Sequence, residues 1–330
     1  MPTVLDDMPT QDREGLPTEQ LVLLWAARRS GVLDALLETA GTPEDVAETA
    51  GVTDHAARVT VNALEELGFL KRVGAEYEIT NRALGFLAKR DVRSIGRLPH
   101  ALDRLDLWTT LPETMATGEP PEKPPDWTRN RLGTHAATDE ATVRACVTAA
   151  VREQPEAKQI LDVAGGSGVY AREFVARGFD VTLVDDETVV DVVSPLLAPT
   201  PIDLVATDLP SLTGLDSDDS TGQVDLVFGV DVVRRFSARE NASIVAEAAG
   251  VLASGGTLVL ADVLDGQRTT TSASTVDVAV DALATGEGGL HDEATVRAWV
   301  EDAGLTDVTV RSVPGTDRQA VVGNAPAGDE

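Results

Sequence analysis

Three aspartates in this chain of 330 residues stand where apolar runs end. Asp162 closes QILD in the stretch KQILDVAGGSGVYAREF, Asp185 closes DVTLVD, and Asp208 follows IDLVAT. Directly after Asp162 comes a turn containing Gly165, Gly166 and Gly168, and then a helical pattern. Glycines let a backbone approach a ligand closely. A carboxylate beside such a turn can pair with a cation or accept the two hydroxyls of a ribose. Gly166-Ser167-Gly168-Val169-Tyr170-Ala171 satisfies G-x-G-x-x-A, and Asp185 follows at the distance of a ribose-binding acid. Asp162 suits a cationic ligand and would repel a pyrophosphate. Asp208 is placed to accept from an adenine amino group, with Leu209 against the ring. The same residues have structural uses: the glycines can make a tight turn, Asp185 can cap the next helix, and Asp208 can start a turn at Pro210.

These residues need a frame. From residue 158 the pattern is strand alternating with helix, with strands expected at QILDVA, DVTLVDD, IDLVATD, VDLVFGV and GTLVLADV. Helices are expected at ARENASIVAEAAGVLASG and DEATVRAWVEDAG. Such alternation builds an α/β domain around a mostly parallel sheet covered on both faces. The last two apolar runs, DVTVRSV and RQAVVGN, are separated only by PGTD. Parallel neighbours need a crossover of about a dozen residues, so this pair must be an antiparallel hairpin. Three carboxylates at three successive strand ends favour a ligand, because that edge is where such sheets bind. Asp162 favours S-adenosylmethionine, with its ammonium and sulfonium, over NAD.

The N-terminal part reads differently. TEQLVLLWAARRSGVLDALLETA has helical spacing with a break at Gly31. In GTPEDVAETAGVT, Thr42 can cap, Pro43 suits the first helical position and Gly51 ends a short helix. TDHAARVTVNALEELG is a second amphipathic helix, and FLKRV and YEIT form a hairpin around Gly74-Ala75. This is the order of a winged helix-turn-helix. Residues 95–157 look helical, interrupted by GEPPEKPPDW. The expected organisation is a winged-helix domain at 1–95, a helical connector at 96–157 and a ligand-binding domain at 158–330.

Asp plus Glu total 55 against 27 Lys plus Arg, a net charge of -28. The only lysines are Lys71, Lys89, Lys123 and Lys158. With 42% hydrophobic residues in periodic patterns, the chain is not an acidic disordered protein. It looks like a cytoplasmic protein of a salt-loving microbe, of the halophilic archaeal kind. The expected recognition helix carries Arg58 against Asp54, Glu65 and Glu66, which speaks against nucleic acid as a partner. The single cysteine, Cys146, excludes an intrachain disulfide and a cysteine-based metal site, and reads as a buried thiol. No apolar run is long enough to span a bilayer. The N-terminal MPTVLDDMPTQDREG lacks the apolar core of a signal peptide; it and the tail NAPAGDE read as frayed ends.

With LDVAGGSG, TLVDD, ATDLP, LASGGTLVLADVL and the connector stretch LWTTLPETMATGEP in order, the chain resembles the class I S-adenosylmethionine-dependent O-methyltransferases of the plant phenolic and acetylserotonin type. The resemblance implies a Rossmann-like methyltransferase sheet and a small hydroxylated substrate. It also implies a homodimer built through the N-terminal domain, which closes the partner's substrate pocket. The family places a catalytic histidine just after the fourth strand. Here the stretch is Val233-Arg234-Arg235-Phe236-Ser237, so Arg234 stands in that place. Arginine stays protonated and cannot be a base. Asp262 fills the family's acidic position at the end of the fifth strand, where it can pair with Arg234. The family's Gly-Gly-Lys-Glu loop reads Gly288-Gly289-Leu290-His291, with His291 at the place of the orienting glutamate. Either His291 has taken over as base and Arg234 binds an anionic group on the substrate, or His291 simply caps the following helix and ordinary O-methylation is weakened or gone. Activity is open to both, because an acidic phenol can ionise without help. Of the other histidines, His55 reads as a surface residue. His100 and His135 lie in the connector expected to line the substrate pocket, where either could face substrate but packing or surface roles are commoner. Trp108 reads as a core anchor ahead of a stacking platform.

Overall fold

The structure is a computed structural model that describes residues 16–38, 41–87, 91–209, 212, 224–266 and 273–328. The N-terminal segment read as a frayed end lies outside the described residues, as do Pro210 and the last two residues. In chain order the elements begin with α1 (Thr18–Arg29), α2 (Val32–Glu38), α3 (Pro43–Ala50), α4 (Asp54–Glu66), β1 (Leu70–Val73), β2 (Glu76–Ile79), α5 (Asn81–Leu87) and α6 (Val92–Ile95). They continue with α7 (Leu98–Trp108), α8 (Leu111–Thr117), α9 (Trp127–Ala136) and α10 (Glu140–Glu153). Among the described residues, those up to Thr109 form one compact unit together with Lys123–Ala137; Thr110–Glu122 and those from Thr138 form the second.

In the first unit local chemistry sets the helix ends. Thr42 caps α3 by accepting from the Asp45 N–H, and the Asp45 carboxylate accepts the Thr42 N–H at 3.0 Å. Pro43 opens the helix, and Gly51 leaves it at φ 67°, a conformation that favours glycine. Strands β1 and β2 pair antiparallel with Val73 opposite Glu76, which leaves Gly74-Ala75 as a two-residue turn. The core gathers Leu24, Val46, Val61, Leu64, Phe69 and Leu102. Buried Asp103 on α7 accepts from Arg28 and from Asn130, each at 2.8 Å. Asp106, one turn on, accepts from Trp25 Nε1 and Arg28, so α1 is tied to α7 by charge as well as by apolar packing.

The second unit continues with β3 (Gln159–Val163), α11 (Val169–Ala176), β4 (Asp180–Asp185), α12 (Glu187–Leu197), β5 (Ile202–Ala206), β6 (Val224–Val230), α13 (Ala238–Gly250) and β7 (Leu252–Asp262). It ends with α14 (Ala273–Thr285), α15 (Glu293–Asp302), β8 (Thr306–Ser312) and β9 (Gln319–Asn324). The seven-stranded sheet has the order β5-β4-β3-β6-β7-β9-β8. β3 to β7 pair parallel, whereas β9 runs antiparallel to both β7 and β8, as the short PGTD connection requires. The chain builds outward from β3 in one direction and then restarts at β6 on the other side. The switch point therefore lies between β3 and β6, at the carboxyl ends where such sheets take ligands.

Two details differ from the sequence expectation. The helix expected to run through VLASG stops at Gly250, and Leu252 already pairs with Val224. Sheet hydrogen bonds outweigh helix propensity there, with a register shift between Val224 and Leu226 taking up the irregular entry. The tail is also not frayed over 325–326. The Ala325 N–H donates to Gly256 O at 2.8 Å, and Pro326 O accepts from Ser254 Oγ at 3.1 Å. The tail thus covers the irregular start of β7.

Candidate active site

The glycine turn is held from two strands. Its first residue after β3, Ala164, takes φ 54°, and Gly166 and Gly168 take φ 56° and 72°. The Gly165 N–H donates to Val184 O, and the Gly166 N–H donates to Asp185 Oδ2 at 2.8 Å. Gly168 then begins α11. A Cβ on Gly165 would lie 2.5 Å from Leu183 Cγ and 2.8 Å from Asp162 Oδ2, so only glycine leaves that oxygen its space.

Asp162 is 1 % exposed, and its Oδ2 has no hydrogen-bond partner. Burial, and then the charge of Asp185, push its carboxyl up to about 8, against a backbone hydrogen bond from Ala171 that lowers it. A buried carboxylate oxygen without a partner is costly to a fold. Here it fits a cationic ligand group, which would both pair with it and favour its ionised form. That is the fit expected for the ammonium end of S-adenosylmethionine.

Asp185 is fully buried at the end of β4, and both oxygens have backbone partners: Gly166 N–H on Oδ2 and Asp186 N–H on Oδ1. Its visible work is to fix the glycine turn. It does not cap α12, whose cap position is Asp186. The neighbouring Asp186, half-buried, accepts the Leu209 N–H at 3.2 Å and joins the β4 end to the exit of β5. Asp208 is exposed, two residues beyond the end of β5, while Leu209 is buried in the sheet core. Asp162, Asp185 and Asp208 are thus all at the carboxyl edge. They differ in environment: one orphaned, one satisfied, one at the surface.

The second half of the edge lies at the ends of β6 and β7. Asp231 follows β6 at φ 58°, an uncommon conformation for a residue other than glycine, though aspartate is among those that adopt it. It accepts a two-pronged grip from Arg318, at 2.8 and 2.7 Å, and also Arg234 Nη2 at 2.7 Å. Arg234 sits in a 3-10 turn, Val233–Arg235. Its backbone N–H donates to Asp262 Oδ2 at 3.1 Å, and its Nε faces Asp262 Oδ1 at 3.8 Å. Burial opposes the charge on Arg234, but Asp231 and Asp262 outweigh it and raise the guanidinium above its ordinary value. Burial raises the Asp262 carboxyl, with Arg234 pulling the other way. The expected pairing of Arg234 with Asp262 is present, and Asp231 and Arg318 join it.

His291 stands one loop away. The Gly289 N–H donates to Arg234 O at 3.0 Å, and a Cβ on Gly288 would strike that oxygen, so the loop does close on the Arg234 turn. The imidazole itself points into packing. Asn241 commits both Nδ2 hydrogens to Val233 O and Phe236 O, at 2.8 and 2.9 Å. The His291 Nε2 at 3.1 Å from Phe236 O must therefore carry the proton and donate. The ring meets Trp299 edge-on at 5.0 Å. His291 does not cap α15; Asp292 does, by accepting the Thr295 N–H at 2.7 Å.

The remaining candidates sit elsewhere. His55 is exposed on α4, and Cys146 is fully buried. His100 packs edge-on against Trp127 at 4.6 Å; burial, then Arg104 and Arg131, push it down to about 3. Trp108 is half-buried, with the Arg104 guanidinium 4.6 Å over its ring, and is not the core anchor expected. Asp231, Asp186, Asn241 and Arg318 went unnoticed in the sequence. Asp231 had a signal, since it directly follows the apolar run VDLVFGV at a strand end. Arg318 had none, being 87 residues from its partner.

Comparison with known proteins decides the class of this edge. The methyltransferase domain family matches residues 161–260, the span from β3 to β7. The chain carries an S-adenosylmethionine-dependent methyltransferase domain. Over 314 residues, 88% of this chain and 89% of the relative, the methyltransferase is 25% identical to the tetracenomycin polyketide synthesis 8-O-methyl transferase TcmO of Streptomyces glaucescens. Its fold is shared with human N-acetylserotonin methyltransferase, solved in complex with SAM, at TM-score 0.63 and 18% identity over 93% of this chain and 94% of that one. An O-methyltransferase family protein from Burkholderia thailandensis aligns over all of both chains at TM-score 0.61 and 22% identity.

Proposed function

We propose that the methyltransferase acts on an oxygen of a small hydroxylated metabolite, phenolic or similar, with S-adenosylmethionine as donor. The observation that carries the donor is Asp162, whose partnerless Oδ2 lies against the glycine turn at the switch point. Asp162 would take the ammonium, the Gly165–Gly168 backbone would border the amino acid moiety, and Asp185 or its neighbour Asp186 would meet the ribose. Asp208 and Leu209 would meet the adenine. When bound, the donor supplies a methyl group on a positively charged sulfur, which leaves as a neutral thioether. This chain's own residues supply position, which by itself can account for much of the rate. Calorimetry in molar salt should show S-adenosylhomocysteine binding and no NAD binding. Tight NAD binding without S-adenosylhomocysteine binding would overturn the assignment.

The alternatives are a fold relative with altered chemistry and a donor-sensing DNA-binding regulator. The first draws on Arg234, which cannot act as a base. The second draws on the helix-turn-helix order of α3, α4 and the β1-β2 hairpin, but exposed Arg58 on α4 is accompanied by acids. The acidic composition suits a cytoplasm rich in salt, where screening relieves self-repulsion. Among the described residues no helix is long and apolar enough to cross a membrane.

The assembly proposed is a homodimer through the N-terminal unit. Part of the apolar surface of α1 is used internally, by Leu24 and Ala27, but Val22, Leu37, Val59, Val73 and Leu84 remain exposed there. Light scattering in molar salt is expected to give twice the chain mass at micromolar concentration. A monomer would refute the dimer without touching the chemistry.

A further inference from the structure

The corner formed by the ends of β6 and β7 holds a fixed cation at the carboxyl edge of the sheet. Arg234 is anchored by Asp231 on one side and Asp262 on the other, and its main-chain oxygen is clamped by the Gly289 N–H. Its side chain is still 29% exposed. Nη2 is committed to Asp231 and Nε faces Asp262, while Nη1 makes no hydrogen bond among the described residues. The charged groups that act on it are Asp231 after β6, Asp262 at the end of β7, and Asp317 and Arg318 before β9. Three acids, Asp231, Asp262 and Asp317, face Arg234 and Arg318, and Asp317 pairs with Arg318 at 3.5 Å. The first two have their oxygens engaged: Asp262 takes the Arg234 and Val263 N–H groups, and Asp231 takes the two guanidiniums. His291 Nε2 is spent on the Phe236 carbonyl.

We propose that Arg234 stands beside the acceptor oxygen as a fixed cation in place of a base, and that the methyltransferase therefore selects hydroxyls acidic enough to arrive ionised: phenols and enols conjugated to electron-withdrawing groups. The assignment rests on the O-methylation reading and deepens it. The acceptor loses its proton to water before transfer. Its oxygen lone pair then forms the O–C bond while the C–S bond breaks, the pair going to sulfur, and no further proton has to move. A guanidinium donor aimed at the oxyanion holds it in place and lowers the cost of ionising it. Weakly acidic alcohols get no help from Arg234, because a guanidinium cannot take their proton.

Two measurements test this. The first is a spectrum. With S-adenosylhomocysteine present, bound 4-nitrophenol should show the phenolate band at a pH below its midpoint in buffer, with several-fold more phenolate at a pH one unit below that midpoint. Arg234→Gln should abolish the shift, and Arg234→Lys should restore part of it. The second is the rate of transfer to a series of phenols of graded acidity. With S-adenosylmethionine saturating at every pH, each rate should rise about ten-fold per pH unit and level off at that acceptor's own ionisation, and Arg234→Gln should lower it about 100-fold. Arg234→His should add slow transfer to weakly acidic phenols, with a new limb near the histidine range. A wild-type protein that binds nitrophenol without any shift overturns the assignment, and so does one pH midpoint common to every acceptor. An intact shift with no transfer to any phenol would instead overturn O-methylation and leave Arg234 as an oxyanion site.

Discussion

The affinity for S-adenosylhomocysteine is expected to rise roughly fifty-fold between pH 6 and pH 8 and then to flatten. The cause is Asp162. Burial, and then the charge of Asp185, hold its carboxyl at about 8, so at pH 6 nearly every molecule of the free protein carries the acid form. A ligand ammonium pairs with the ionised form. Binding must then expel a proton, and each pH unit below about 8 lowers the apparent affinity about ten-fold. Calorimetry in two buffers of different ionisation heat should register close to one proton released at pH 6 and about half of one at pH 8. The linkage also has a sign for stability. In the unfolded chain this carboxyl titrates near 3.8, so between about pH 4 and pH 8 the folded protein holds a proton that the unfolded chain has lost. Asp162 therefore removes stability as pH rises through that window. A bound cation returns it, so the rise in melting temperature produced by S-adenosylhomocysteine should be larger at pH 8 than at pH 6. Asp162→Asn should lose about 100-fold or more in affinity at pH 8, where wild type is half ionised, because the ligand ammonium would be buried without a counter-charge. The same variant should bind with no pH dependence. An affinity in wild type that stays level from pH 6 to pH 8 would refute the pairing.

How far these residues could be read in advance depends on the range over which they act. The strand ends were legible because strand alternation is a local signal, and so was the antiparallel hairpin, since PGTD is too short for any other connection. Gly165 and Gly168 were legible for the same reason: turn and helix start are set within a few residues. The environment of each carboxylate was not. That Asp162 is orphaned and Asp185 saturated depends on where the Gly166 N–H falls, across two strands. The Arg234 substitution was visible as a broken pattern, yet its fixing by Asp231 and Asp262 needs β6 and β7 side by side. Arg318, arriving from the antiparallel β9 side, could not be found by spacing at all. The end of α13 was misplaced because VLASG scores as a helical tail alone, whereas neighbours in β6 and in residues 325–326 claim its hydrogen bonds.

His291 divides the two ways of reading the loop after α14, and its replacement should act on folding rather than on proton transfer. In His291→Ala the Phe236 carbonyl loses one donor, though Asn241 still serves it, and Trp299 loses an edge-on ring at 5.0 Å. A lost hydrogen bond of about 1 kcal/mol and an aromatic pair of about 1 kcal/mol, with some cavity cost, give a destabilisation of about 2–3 kcal/mol. Thermal melting should drop by about 5–10 °C. The Arg234 turn should loosen too, since Asn241 and the Gly289 N–H hold the same 233–236 segment. The Michaelis constant for a phenol should therefore rise more than turnover falls. His291→Gln, whose amide can still donate to the Phe236 carbonyl, should recover about half of the lost stability. Were His291 the base, the pattern would differ. Turnover of weakly acidic acceptors would fall about 100- to 10,000-fold in both variants, far beyond what the loss in melting explains, and the pH–rate profile would lose a limb. Measuring melting and the pH–rate profile on the same two variants separates the outcomes, because the Phe236 hydrogen bond predicts loss in the first and constancy in the second.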